Sequence, residues 1–343
     1  MAKSTTFQTK TNSKVTIGTE VTMGTATLAA GVTLEMPVTD YSFSEIASHT
    51  LNVAPFRMGG GSAQSDDMVR AQRHDRMYEI SMTFMASDKA INRICLALFG
   101  DDDGANSLIG SMPAATTYTH GVASIVPVTL HFEDSDPDST TASGGGLDTH
   151  FISCMCTSFS LAGDIGSDGG MVMGTATFVT GYAPVLAALT FSGGTHTLNT
   201  SHVNFFNMHD LSKTEINSGS AEDLVLYSFE LNIERSVNRI GFDTASNGFK
   251  PLGYSVGGYE VTGSLSVKRD AESKDAITFA DTAEPVCAID LDTTVFQIQA
   301  PKAIIDTASI NFDDDGWKTV IPFRCTYDGA STGNTIVSIN TAA

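Results

Sequence analysis

The chain has 343 residues, room for one large or two medium domains, and 41% of them are apolar, enough to bury a real core. Its 39 acidic residues against 19 basic ones give a formal net charge of −20. That balance excludes a protein that grips phosphates through clustered Lys and Arg, or one that lies on an anionic membrane.

The five cysteines (Cys95, Cys154, Cys156, Cys287 and Cys325) are odd in number and irregular in spacing. They form no disulfide framework and suit folding in a reducing cytoplasm. No segment is apolar enough for a membrane span, and the start "MAKSTT" lacks the apolar stretch of a secretion signal.

In chain order, a strand is expected over 27–38, running into "DYSFSE" at 40–45. A polar excursion over 44–77 follows, too long for an ordinary hairpin loop. Residues 77–85 then alternate, with Tyr78, Ile80, Met82 and Phe84 on one side and Glu79, Ser81 and Thr83 on the other. This is the pattern of a half-buried strand. Ile91, Ile94, Cys95, Leu98 and Phe99 next fall on one face of a helix, with Ser87 or Asp88 to cap it and Gly100 to end it.

Strands are expected at 124–132 and 151–161, with a surface loop between them over 134–148. The stretch "SFSLAGDIGSDGGMVMGTATFVTG" reads as strand, acidic turn, strand.

The order then repeats. After a join over 181–200 come a strand at 202–207 and one at 224–234 carrying "LYSFEL". A second excursion spans 230–258. Tyr259, Val261, Leu265 and Val267 alternate in a strand, and a weaker helix follows Asp270, with Ala276, Ile277 and Ala280 as its apolar face. Strands at 295–299 and 304–312 lead into "ASINFDDDGWKTVIPFRCTYDG", again strand, acidic turn, strand. Pro127 and Pro322 are expected at edges or bulges. Four elements in matching order point to a tandem duplication of a mainly β domain with one short helix per copy.

Possible chemistry is thin. "GYSVG" at 253–257 matches a nucleophile elbow, but a strand follows Ser255 where the elbow needs a helix, so its glycines read as a turn into that strand. The two "DDDG" runs, at 101–104 and 313–316, lack the later ligands of a calcium loop and read as solvated turns. Cys154 and Cys156, even with His131 or His150, have no second pair at zinc spacing and read as small buried hydrophobes. No catalytic constellation, metal site or cofactor-binding motif is present.

The duplicated pattern resembles the tail tube proteins of long-tailed bacteriophages. The resemblance rests on "KVTIGTEVTMGTATLAAGVTLEMPVTDYSFSE", a polar arm leading into the first strand, and on "GFKPLGYSVGGYEVTGSLSVKRDA", a glycine-containing loop leading into a strand that ends before a helix. It implies two tandem β-sandwich domains, each flanked by a short α-helix, over 37–182 and 201–343. An arm and first strand over 1–36 and a linker over 183–200 complete the chain.

It also implies a structural virion protein, made in the bacterial cytoplasm. Trimeric, pseudo-hexameric rings of it would stack into a hollow tube, meeting tail-tip and tail-terminator proteins at the ends. Double-stranded DNA would pass along an acidic, low-friction channel without specific binding. Glu79 and Glu260, matched between the copies, are the lumen candidates. The excursions carry the assembly candidates: Phe56, Met58, Arg70, Arg73 and Arg76 in the first, Arg235, Arg239, Phe242 and Phe249 in the second. Another tail-tip, baseplate or capsid-decorating component is the alternative, followed by a carbohydrate-binding surface module. The single Trp317 gives little for sugar rings to stack on.

Overall fold

Alternation of apolar and polar side chains builds most of the described structure. The computed structural model describes residues 14–20, 22–26, 33–45, 54–55, 69–70, 77–100, 117–119, 126–133, 149–186, 204–217, 221–242, 250–270, 286–293, 296–313, 316–326 and 337–340. Among these the chain is mainly β, with one α-helix.

The first half of the chain, the expected arm and first copy, contains β1 (Lys14–Thr19), β2 (Thr33–Glu35), β3 (Val38–Glu45), β4 (Ala54–Pro55), β5 (Val69–Arg70) and β6 (Tyr78–Met85). Helix α1 (Asp88–Phe99) follows, then β7 (Thr117–Thr119), β8 (Val128–Glu133), β9 (Thr149–Asp164), β10 (Met173–Thr180) and β11 (Val185–Leu186). The second half, the expected second copy, contains β12 (Leu211–Asn217), β13 (Ala221–Asp223), β14 (Leu226–Phe242), β15 (Pro251–Lys268) and β16 (Val286–Thr293). It ends with β17 (Gln297–Ile305), β18 (Ser309–Asp313), β19 (Gly316–Cys325) and β20 (Ser338–Asn340).

The main sheet is antiparallel, in the order β3–β6–β10–β9–β14–β15–β19, with β18 pairing on the far half of β19. Pro322 stands where β17 gives way to β18 along β19. Ile305 pairs with Phe323 and Ser309 with Val320, so the proline sits at a break in the ladder.

A second layer in the first copy, β2–β1–β8 with the start of β9, covers the apolar side of the sheet. Tyr41 and Phe43 of β3 reach Phe132 of β8 at ring distances of 4.9 and 5.7 Å. In the second copy Phe206 stacks on Phe296 at 5.0 Å and lies 5.7 Å from Phe229. One apolar cluster runs through both copies. Each fully buried Phe or Leu in it contributes about 1.5–3 kcal/mol.

Helix α1 forms as its spacing predicts. Ser87 Oγ accepts from Ala90 N at 3.2 Å, and Gly100 leaves the helix at φ 84° while its N–H donates to Leu96 O at 2.9 Å. The expected second helix lies outside the described residues, as do the 134–148 loop and Asp101–Gly104.

Three sequence expectations need correction. The 230–258 excursion is largely strand: β14 and β15 pair from Leu226–Val267 to Phe242–Pro251. "GYSVG" is therefore no turn. Its residues lie inside β15, and Ser255 stands opposite Asn238. In place of the strand expected at 202–207, the described residues 204–207 form only single bridges, Ser87 with Phe205 and Met171 with Asn207.

Candidate functional site

Because strand residues alternate sides, the main sheet has one apolar and one polar face. The polar face is continuous across both copies. One row reads Ser42, Ser81, Thr177, Ser158, Glu234, Glu260, each the register partner of the next. The neighbouring row reads Asp40, Thr83, Thr175, Ser160, Asn232, Thr262, Arg324.

Glu79 lies two residues before Ser81 on the same face. Glu79, Glu234 and Glu260 together line one shallow depression with Ser81, Thr177 and Ser158. Four strand spacings separate the strands of Glu79 and Glu260, about 19 Å. The two lumen candidates are thus brought onto one face. Glu234, which sequence reasoning missed, stands between them. Its alternation with Leu231 and Ile233 was the available signal.

Acids outnumber bases on this face. Asp40, Asp164, Glu230 and the three glutamates just named stand on it, against Lys268, Lys318 and Arg324. The bases sit on the β15–β19 flank. Arg324 Nη2 approaches Glu260 Oε1 at 3.0 Å, an exposed pair of small energetic weight.

The joint between the copies is the pairing of β9 with β14. It runs from Asp164–Ser228 to Ser158–Glu234. On its apolar side Leu161 faces Leu231 and Phe159 faces Ile233.

Arg235 closes the end of this joint from the inside. It is buried, and its guanidinium donates to Cys156 O at 2.8 Å, to Ala97 O at 2.9 Å and to Leu98 O. Tyr259 Oη donates to the same Leu98 oxygen at 2.8 Å. Ala97 O and Leu98 O are carbonyls that helix α1 leaves without intrahelical partners at its C-terminus, where a cation is also favoured by the helix dipole. Among the described residues, then, Arg235 contacts its own chain across the joint between copies.

The far end of the β14–β15 ribbon also rests on the first copy. Gly181 N donates to Tyr254 Oη at 2.8 Å, Tyr182 Oη donates to Pro251 O at 3.4 Å, and Lys250 lies 6.0 Å over the Tyr182 ring. Arg239 is opposite Tyr254 in this ribbon, and Phe242 is opposite Pro251. Arg70 lies in β5, which pairs with β4. Phe56, Met58, Arg73, Arg76 and Phe249 lie outside the described residues.

Among the described residues nothing resembles a reactive site. Cys95, Cys154 and Cys156 are buried, and burial pushes their thiols up, Cys156 to about 12. His131 and His150 face each other across β8 and β9, both buried. Among the described residues no group of His, Cys, Asp and Glu is arranged to hold a metal ion.

The model of one family, described as phage tail tube protein, matches residues 10–342. The chain belongs to that family. A search of curated proteins finds no match. As a phage tail tube protein it is a structural component of the virion tail, in a family that is not enzymatic. No helix among the described residues is long and apolar enough to cross a membrane.

Proposed function

We propose that three copies of this chain close into a ring of six domains, and that stacked rings form the tail tube of a long-tailed phage. The polar face of the main sheet lines the channel through which double-stranded DNA leaves. The observation that carries this reading is the β9–β14 joint. One sheet passes from the first copy to the second without a break, polar on one side and apolar on the other. A sheet that joins end to end in this way removes its exposed edges by closing.

The charge supports the channel assignment. DNA carries about one negative charge per 1.7 Å of axis. A basic wall would hold it, whereas on this face the acids, Glu79, Glu234 and Glu260 among them, outnumber the bases and repel it. The excursions serve assembly. The β14–β15 ribbon lies across the first copy of its own chain, and by the same relation the 44–77 excursion lies across the second copy of a neighbour. Phe56, Met58, Arg70, Arg73 and Arg76 are its contact candidates, and Phe242 and Phe249 are the candidates for meeting the next ring. Assembly takes place in the host cytoplasm, bounded by tail-tip and tail-terminator proteins.

Negative-stain electron microscopy of the concentrated protein tests this. Hollow tubes or rings with threefold or pseudo-sixfold symmetry are expected. A monodisperse monomer at every concentration, with tail-tip complexes added as nuclei, would overturn it in favour of a tip or decorating role.

A further inference from the structure

We infer that the seam between neighbouring chains is made by β18 of one chain and β3 of the next, antiparallel, with Ile310 opposite Phe43, Asn311 opposite Ser42 and Phe312 opposite Tyr41. This rests on the ring reading above and adds to it the strands and the register. The main sheet has two ends. Among the described residues β3 pairs with β6 and β18 with β19, each on one side.

Both ends carry large apolar side chains in the open. Phe43 is 49% exposed, Ile310 43% and Phe312 70%. Long exposed strands of this kind invite another strand. Within the chain, β9 (hairpin partner of β10) pairs with β14, the first main-sheet strand of the second copy. β18 is likewise the hairpin partner of β19, and β3 is the first main-sheet strand of the first copy. The occupant that fits is therefore a second copy of this chain.

The register follows by carrying the internal joint over. Met85 ends β6 and Lys268 ends β15; their partners are Met173 and Lys318. Those in turn face Ala162 of β9 and Asn311 of β18. Ala162 and Asn311 are thus equivalent places. On the other strand, Met82 and Leu265 are each three residues from their strand end, and they face Tyr41 and Phe229. Tyr41 and Phe229 are equivalent places.

In the internal joint Ala162 faces Glu230, the residue after Phe229. Asn311 therefore faces Ser42, the residue after Tyr41. Parity agrees. Ser309 and Asn311 continue the polar face beside Ser42 and Ser44, while Ile310 and Phe312 continue the apolar face beside Phe43 and Tyr41.

Disulfide trapping decides it. Ser42 and Asn311 are exposed, and the four described cysteines are buried, so background coupling is low. S42C/N311C is assembled, oxidised and run on a non-reducing gel beside each single variant and S44C/N311C, with tubes of every sample checked by microscopy. Near-complete ladders of linked chains for S42C/N311C, and little for the others, are expected. Linkage only in S44C/N311C would overturn the register. Tubes with neither pair linked would overturn the seam and leave the ring reading intact. An absence of rings and tubes in the unmodified protein would overturn both.

Discussion

Arg235, on the first main-sheet strand of the second copy, holds the carbonyl oxygen of Ala97 near the end of α1 in the first copy, at 2.9 Å. The same guanidinium takes Leu98 O and Cys156 O. Arg235→Met keeps the bulk of the side chain and leaves these oxygens without their donor. A loss of about 1–3 kcal/mol for each buried oxygen left unmet is expected. Tyr259→Phe, which removes the hydrogen bond to Leu98 O and the one accepted from Arg235 Nη1 at 3.3 Å, should cost about 1–2 kcal/mol. Urea unfolding followed by circular dichroism reads both. An unchanged midpoint for Arg235→Met would show that the clamp does not tie the copies together.

Gly263 faces Phe323 across β15 and β19 with no room for a methyl group. A Cβ there would lie 2.4 Å from Phe323 Cζ and 2.5 Å from the backbone oxygen of Glu230. The backbone atom cannot swing aside, so Gly263→Ala should cost about 1–3 kcal/mol. Gly258 in the same strand has nothing within 4 Å of such a Cβ. Gly258→Ala should stay within about 0.5 kcal/mol of the parent. Thermal melting of the two variants side by side checks the contrast, and equal melting temperatures would refute it.

Glu20 is buried, and burial pushes its carboxyl above the usual 4.5 despite hydrogen bonds from Ser153 N at 2.7 Å and Thr129 Oγ1 at 2.6 Å. A carboxyl with a raised native pKa binds its proton more tightly folded than unfolded. Its contribution is therefore most favourable below 4.5 and declines as pH rises through the native value. Glu20→Gln should remove that component. The stability difference between parent and variant should shift in the parent's favour on going from pH 7 to pH 4.5. Denaturant titrations at both pH values measure it, and a constant difference would mean Glu20 does not titrate abnormally. Glu20→Ala, which leaves the Ser153 and Thr129 donors unmet, should cost about 1–3 kcal/mol for each.

Charge reversal on the polar face tests the channel directly. Glu79→Lys with Glu234→Lys should slow DNA release from assembled particles several-fold, most strongly at low salt, because each lysine gains phosphate contacts that salt weakens. Glu260→Lys also sets a lysine beside Arg324 and should add to the effect. Release kinetics followed by a DNA-binding dye at two salt concentrations provide the readout. Parent-like rates at both would place this face away from the DNA.

Local periodicity made much of the fold legible, and long-range pairing hid the rest. Helix α1 was readable because its apolar spacing, Ser87 and Gly100 all agree. The glycines of 253–258 were misread because Gly disfavours strand interiors; there the partner strand from Val237 to Ile240 overrides the local preference. The two Tyr-Ser-Phe stretches do open the main sheet in each copy, yet they stand two residues out of step. Tyr41 faces Met82, while Phe229 occupies the matching place opposite Leu265. Bulges near Val38 and Leu226 accompany the shift. Arg235 read as a partner for acidic surface on a neighbouring copy, since no local signal announces a helix end 138 residues earlier in the chain.

The β9–β14 joint also changes how a ring would begin. Every chain leaves the ribosome with one joint already made, so closing a threefold ring needs three encounters instead of six, and nucleation falls off less steeply on dilution. Tethering holds the two copies at an effective concentration far above that of separate chains. In such a ring the joint inside the chain is permanent and clamped by Arg235, while the one between chains would stay open until a partner arrives.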